Sequence, residues 1–195
     1  MSDFALEADL LNKNYRAICG VDEVGRGCLF GPVVAGAVIL DPQQLHPEID
    51  DSKRLGPGKR LRLAEFIYLH ARAFSLGWSW NEEIDRHNIL EATQKAMRQA
   101  VAHLQVRPDF ILVDGIAAGF LPQPARAIPG GDRQSMSIAA ASIIAKVFRD
   151  QLLVALAPHF PDYGLGKNKG YPTLQHRNMV LLKGVTLFHR QSFCT

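Results

Sequence analysis

The chain has 195 residues, 47% of them apolar and 21% charged, with a net charge of +3, so it carries enough apolar side chain for one ordinary core and disorder is not the expectation. A pI near 8.8 is too mild by itself to mark a nucleic-acid binder. No stretch approaches the roughly 18 uninterrupted apolar residues of a membrane span. Residues 1–11 mix Asp3, Glu7 and Asp9 with apolar side chains, unlike the basic start of a signal peptide, and a soluble cytoplasmic protein is expected. Cys19, Cys28 and Cys194 are odd in number and form no C-x-x-C pair, which points to structural thiols.

In chain order, residues 16–22 and 33–40 are apolar runs of strand length on either side of the glycine-rich segment 25–32, and read as two strands joined by a turn. After Pro57-Gly58, the spacing of Leu63, Phe66, Ile67, His70 and Ala71 predicts a helix. Phe74, Leu76, Trp78 and Trp80 alternate with Ser75, Gly77 and Ser79, the period of a strand with one buried face, which completes a three-stranded meander. Ser79 and Glu82 match a capping box, with Asn81 as a rival cap, for a helix carrying Ile89, Ala92, Ala96, Met97, Ala100 and Leu104 and ending before Pro108. Residues 110–113 read as a buried strand ending on Asp114-Gly115, 139–156 as a long helix and 174–183 as a last helix. Without a repeat or a long linker, the expectation is one α/β domain spanning 1–195, a mixed sheet covered by helices.

Several acids stand where a core residue would be expected. Asp22-Glu23 closes an apolar strand, and side chains alternate faces along a strand, so the two carboxylates converge only if the chain bends after Asp22; a plain strand-end turn is the alternative. Asp114 ends the fourth strand at the edge where open α/β sheets bind ligands, or else serves a turn or cap. On the long helix, Asp150 shares a face with Ile143, Lys146, Val147 and Val154 and needs a partner, either Lys146 one turn back or a cation. If the four acids met they would repel one another strongly unless a cation neutralised them, and an all-oxygen set favours Mg²⁺ or Mn²⁺ over zinc. Two such ions roughly 4 Å apart suit phosphodiester cleavage. Basic residues gathered at 53–62, 167–169 and 176–177 could meet phosphates.

The string Asp22-Glu23-Val24-Gly25-Arg26-Gly27, followed by Gly31-Pro32-Val33-Val34-Ala35-Gly36-Ala37-Val38, resembles the opening signature of ribonuclease HII. In the same order come Asp51-Ser52-Lys53, Glu83-Ile84-Asp85, Asn88-Ile89-Leu90, Val113-Asp114-Gly115, the run from Ala139 through Lys146-Val147-Phe148-Arg149-Asp150, Lys169-Gly170-Tyr171-Pro172-Thr173, and His189-Arg190-Gln191-Ser192-Phe193. An ordered series of this length is far more specific than any one fragment. The resemblance implies a ribonuclease H-like fold, with a mixed five-stranded sheet flanked by helices and a C-terminal helical segment over about 158–195.

It further implies an endonuclease acting on RNA–DNA hybrids and on duplex DNA with embedded ribonucleotides, cutting 5′ of the ribonucleotide to leave 3′-hydroxyl and 5′-phosphate ends. Such an enzyme serves ribonucleotide removal from DNA and RNA primer removal. The acidic site maps onto Asp22, Glu23, Asp114 and Asp150, holding two Mg²⁺ or Mn²⁺ ions. Junction recognition maps onto Gly25, Arg26, Gly27 and Tyr171, which agrees with glycine's tolerance of close backbone approach and with the 2′-hydroxyl as the mark of RNA. Lys53, Lys146 and Lys169 are candidate phosphate contacts, and a monomer is expected. Three departures stand out: His87 in place of an aliphatic residue, Gln191 in place of a second basic one, and Gly130-Gly131-Asp132 in place of a more basic segment. The first two leave the acids untouched, and so does the third. Gly164-Leu165-Gly166-Lys167 lacks the spacing and the following Ser or Thr of a triphosphate loop.

Overall fold

The computed structural model describes residues 2–121 and 124–194. Strands β1 (Ile18–Val24) and β2 (Val33–Ile39) are runs of apolar and small residues, buried along most or all of their length. Near-continuous apolar runs are what strands covered on both faces require. β2 lies antiparallel to β1, and β3 (Ala73–Ser79) antiparallel to β2. On the other side β4 (Phe110–Asp114) runs parallel to β1, and β5 (Ala125–Ile128) parallel to β4. The result is a five-stranded mixed sheet in the order β3-β2-β1-β4-β5.

Helices cover both faces. On one, Cys19, Val21, Val33 and Ala35 pack against Ala92, Ala96, Met97 and Ala100 of α4 (Ile89–Ala102). On the other, Val38 meets Leu63 and Ile67 of α2 (Pro57–His70) and Ala140, Ala141 and Ile144 of α5 (Met136–Leu156). α5 lies unusually close to the sheet: a Cβ at Gly20 would stand 2.0 Å from the Ser137 carbonyl carbon, and one at Gly36 2.4 Å from the Ala141 oxygen. Small residues on both partners set that approach, and it brings the polar positions of α5 to the strand ends.

The expected elements are present with boundaries shifted by a residue or several, but β3 buries its small face, Ala73, Gly77 and Ser79, against α4 and leaves Phe74 and Trp78 40% and 42% exposed, the reverse of what the apolar alternation suggested; three further differences have physical causes. The helix expected after Trp80 is two, α3 (Asn81–His87) and α4. Asn88 breaks them at φ +86° and its side-chain oxygen accepts from the Leu90 and Glu91 amides at 2.9 and 3.1 Å, so it is the cap in place of the Ser79–Glu82 box. Ser79 instead donates to the Ala92 carbonyl at 3.0 Å, tying β3 to α4. α5 begins at Met136, one turn before Ala139, because the Ser135 hydroxyl caps the Ile138 amide at 3.2 Å.

The third difference is α1 (Ala5–Asn12), which the alternation of acids and apolar residues had not marked as a helix. Its Glu7 is 1% exposed, and one carboxylate oxygen accepts from the Ser135 hydroxyl at 2.6 Å, the Ser137 amide at 2.9 Å and the Ser137 hydroxyl at 2.5 Å. A carboxylate at the first turn of a 21-residue helix also meets the positive end of its dipole. Two C-terminal helices, α6 (Leu165–Asn168) and α7 (Leu174–Lys183), complete the chain. Among the described residues no helix is long and apolar enough to cross a membrane. Replacing Glu7 with Ala strips three donors of their acceptor, and at about 1–3 kcal/mol for a buried group left unpaired it should cost at least about 2 kcal/mol in urea denaturation.

Candidate active site

β1 and β4 are in parallel register with Val21 beside Val113, so the next residues, Asp22 within β1 and Asp114 at the tip of β4, stand side by side where the parallel pairing ends. Asp22 is 4% exposed, with one oxygen accepting from the Glu23 amide at 2.7 Å. Asp114 is half-buried and accepts from the Gly131 amide at 2.7 Å. The Gly130-Gly131-Asp132 departure is therefore the seat of one acid. Burial pushes the Asp22 carboxyl well above the usual carboxylate range; Glu23 and Asp114 push it further, opposed by the Ser142 hydroxyl and the Glu23 amide. Such mutual destabilisation is what a cation would relieve.

β1 does not bend after Asp22 but continues to Val24. Asp22 therefore shares the α5 face with Gly20, while Glu23 points to the α4 side and lines a cleft of about 310 Å³ with Arg26, Leu90, Thr93, Asp114 and Ile116. Asp114, at the strand tip, reaches both sides. Burial raises the Glu23 carboxyl as well; Arg26, 3.5 Å away, pulls it down, Asp114 raises it and Lys53 lowers it. The exposed Lys53 ammonium, expected as a phosphate contact, thus acts on Glu23.

Asp150 is held differently. Lys146 Nζ stands 2.7 Å from one of its oxygens and Arg60 Nη1 3.5 Å from the other, so the helical partner left open by the sequence is present, together with a second cation from α2. Val154, expected on the same stripe, is 49% exposed, and the apolar stripe fades one turn beyond Asp150. Among the described residues no three Asp, Glu, His or Cys side chains close to metal-holding distance. Asp150 pairs with the two cations instead.

The residues expected to recognise the junction do converge. Gly25 has φ +92°, and a Cβ there would lie 2.3 Å from Arg149 Nε; only glycine fits. Arg26 and Gly27 are exposed, and a Cβ at Gly27 would meet nothing within 4 Å. Tyr171 is half-buried, with Lys146 Nζ 5.3 Å and the Arg149 guanidinium 5.9 Å from its ring centre. Burial raises its phenol, with the Cys28 thiol adding to the rise. Lys169 borders a groove beside Asp150 and Arg60, and its ammonium donates to the Gly166 carbonyl.

Two residues quoted only within longer motifs turn out to organise this region. Arg149 is 0% exposed and donates to the carbonyls of Phe30 at 2.9 Å, Pro32 at 2.9 Å and Lys169 at 2.8 Å. Arg190, also 0% exposed, donates to the carbonyls of Gly31 at 3.0 Å and Arg26 at 2.8 Å. The only trace of this in the sequence is a charge inside an apolar run, which does not say whether it is buried. His87 sits 54% exposed at the end of α3, 3.9 Å from Glu91, and the Gln191 amide donates to Asp85 at 2.9 Å.

The ribonuclease HII family model matches residues 19–195. Ribonuclease HII of Ruegeria pomeroyi is 50% identical over 195 residues, covering 99% of this chain and 82% of the relative. Among solved structures, ribonuclease H2 of Pyrococcus horikoshii superposes with a TM-score of 0.79 at 24% identity, covering 92% of this chain and 95% of that one. A complex of PCNA with ribonuclease HII from Archaeoglobus fulgidus gives a TM-score of 0.77 at 25% identity, covering 90% and 93%.

Gly25→Ala would force a side chain against Arg149 at a backbone angle that L residues avoid. Displacement of the loop by about 1 Å should cut hybrid cleavage on the order of a hundredfold in an initial-rate assay, with the circular dichroism of the sheet unchanged.

Proposed function

The chain belongs to the ribonuclease HII family, and on that premise we propose that it acts through Asp22, Glu23, Asp114 and Asp150 as metal ligands. It is an endonuclease that hydrolyses the RNA strand of RNA–DNA hybrids and cuts 5′ of single ribonucleotides in duplex DNA. The observation that carries the site assignment is the adjacency of Asp22 and Asp114 across the β1–β4 register, in surroundings where burial, Glu23 and Asp114 all raise the cost of ionising Asp22. The donor set fits a hard divalent ion: it is all oxygen, partly buried, and crowded with like charge. Bound Mg²⁺ or Mn²⁺, two ions in the reactive complex, would supply an activated water and stabilise the departing oxygen.

The chain's own groups do the rest. Asp22 and Asp114 bind at the strand ends, Glu23 holds from the α4 side, and Asp150 is supplied from α5. Lys146 and Arg60 orient Asp150. Lys53 and Lys169 take backbone phosphates, as exposed or half-buried cations flanking the acids. Open space at Gly27 beside the exposed Arg26 suits close approach of a ribose, and the Tyr171 ring across from it suits stacking on the following deoxyribose. We further propose that 1–195 works as one domain and as a monomer in the cytoplasm. The bonds from Arg149 and Arg190 that join the C-terminal segment to residues 26–32 support the first point.

Asp22→Asn should bind a hybrid duplex with wild-type affinity yet lose cleavage, measured by gel shift and by a nucleotide-resolution assay on a duplex with one embedded ribonucleotide. Wild-type cutting by that variant in Mg²⁺ would sink the ligand assignment. Chelation with EDTA should abolish cleavage by the native enzyme, and adding back Mg²⁺ or Mn²⁺ should restore it; turnover undiminished in EDTA would refute the metal requirement.

A further inference from the structure

Tyr171 and the Gly25–Gly27 loop lie far apart in sequence; the Leu29 amide donates to the Gly170 carbonyl at 2.8 Å and Arg149 bonds carbonyls on both sides, and a short stretch near the C-terminus adds a second tie that ends on Tyr171 itself. Phe30 and His189 form an antiparallel bridge. The Arg190 amide donates to the Leu29 carbonyl at 2.8 Å and the Gly31 amide to the Phe188 carbonyl at 2.9 Å. His189 is thus fixed to the chain that continues from the glycine loop. Its ring is enclosed by Phe30, centroid 4.9 Å away and nearly perpendicular, and by Tyr163 at 4.8 Å.

From there a directed set of hydrogen bonds runs to Tyr171. The Thr186 amide lies 2.9 Å from His189 Nδ1, His189 Nε2 lies 3.1 Å from His176 Nε2, and His176 Nδ1 lies 3.0 Å from the Tyr171 carbonyl oxygen. The two ends fix the protons. A backbone amide only donates, so His189 Nδ1 is the acceptor and its proton sits on Nε2; a carbonyl only accepts, so His176 carries its proton on Nδ1. The middle bond then has one donor and one acceptor, and both imidazoles are neutral. Both rings are buried, 0% and 1% exposed. Burial lowers both from the ordinary histidine value, His189 to about 4, in keeping with that neutral state.

We propose that His176 and His189 are positioning residues for junction recognition, a neutral imidazole pair that fixes the Tyr171 backbone relative to the glycine loop and so sets where the tyrosine ring meets the substrate sugar. The inference rests on Tyr171 being part of the junction reader. The pair touches neither the acids nor the substrate, so its effect falls on the choice of site rather than on hydrolysis. The bond His176 makes to the Tyr171 carbonyl matters more for that choice than the bond it makes to His189, because the former holds the residue that reads the sugar.

Two replacements separate these bonds. In His176→Asn the side-chain amide replaces Nδ1 and can still donate to the Tyr171 carbonyl, while losing His189. In His176→Gln the amide oxygen reaches the Nε2 position and can accept from His189, while losing Tyr171. The readout is the ratio of kcat/KM on a duplex with one embedded ribonucleotide to kcat/KM on a uniform RNA–DNA hybrid, with the Tm of each variant. One neutral hydrogen bond is a factor of about 3 to 10. His176→Gln should lose about that factor in the ratio, chiefly through KM, while His176→Asn keeps the ratio within about twofold of native. Equal losses, no loss, or the reverse order overturns the proposal. Tyr171→Ala in the same assay tests the underlying reading: an unchanged ratio there removes Tyr171 from the junction reader whatever the histidine variants do. If either variant fails to fold, nitrogen NMR of the native protein decides, with Nε2–H on His189 and Nδ1–H on His176 expected near neutral pH and any other tautomer or an imidazolium fatal to the relay.

Discussion

A buried arginine without a carboxylate partner governs this molecule. Among the described residues no acid lies within ion-pair distance of Arg149, and its guanidinium is satisfied by three backbone carbonyls. Removing such an ion from water costs several kcal/mol, and hydrogen bonds to a charged group return about 1.5–3 kcal/mol each. The chain tolerates that exchange at one place, where residues 30–32, the Lys169 turn and α5 meet. Pulling the Phe30, Pro32 and Lys169 carbonyls inward dictates the path of the segment that follows the glycine loop. It also presses the Arg149 side chain against Gly25, which is why that position has no room for a Cβ. Arg190 repeats the device on Arg26 and Gly31.

Charge of both signs is thereby laid out on one rim. Asp114 ends β4 with Asp22 beside it on β1, a juxtaposition the sheet register holds in place, and α5 brings Lys146, Arg149 and Asp150 within about one helical turn of one another. The cations keep Asp150 apart from Asp22 and Asp114, so the four carboxylates are not stacked into a single repulsive cluster. Two buried guanidiniums beneath the loop, neither in an ion pair among the described residues, add positive charge to the rim that a phosphodiester backbone would meet.

Much of the sheet was legible because β1, β2 and β4 are covered on both faces and so spell long apolar runs. β5 was not, since Ala125–Ile128 is four residues at an edge with Arg126 among them, too short and too polar to show a period. The α3–α4 break depends on one positive-φ asparagine, and Asn88 looks like any helix residue until its backbone is seen. α1 escaped notice because Glu7 and Leu10 alone are buried, and the partner of Glu7 is Ser137, 130 residues away. In the site, Asp22, Glu23, Asp114 and Asp150 announced themselves as acids at strand tips or on an apolar helix. Arg149, Arg190 and His189 did not, and His176, read with Arg177 as a basic residue that could meet phosphates, is 0% exposed and out of a phosphate's reach; sequence shows charge and polarity but not burial.

That asymmetry follows from how the two tasks are built. Cutting needs donor atoms of a given chemistry at rigid strand ends, and such residues stand out in sequence by being out of place. Choosing where to cut, on the reading proposed for residues 25–27 and Tyr171, needs backbone held at set distances, and any side chain of the right length and hydrogen-bonding capacity can hold it. The holding residues come from α5, α7 and the last segment, which are remote in sequence from the loop they fix. The acids need only the β1–β4 register, whereas the junction reader needs the C-terminal segment packed in place. Loosening that segment should therefore erode selectivity before it erodes hydrolysis, since local opening at the end of the chain takes less free energy than parting the two central strands.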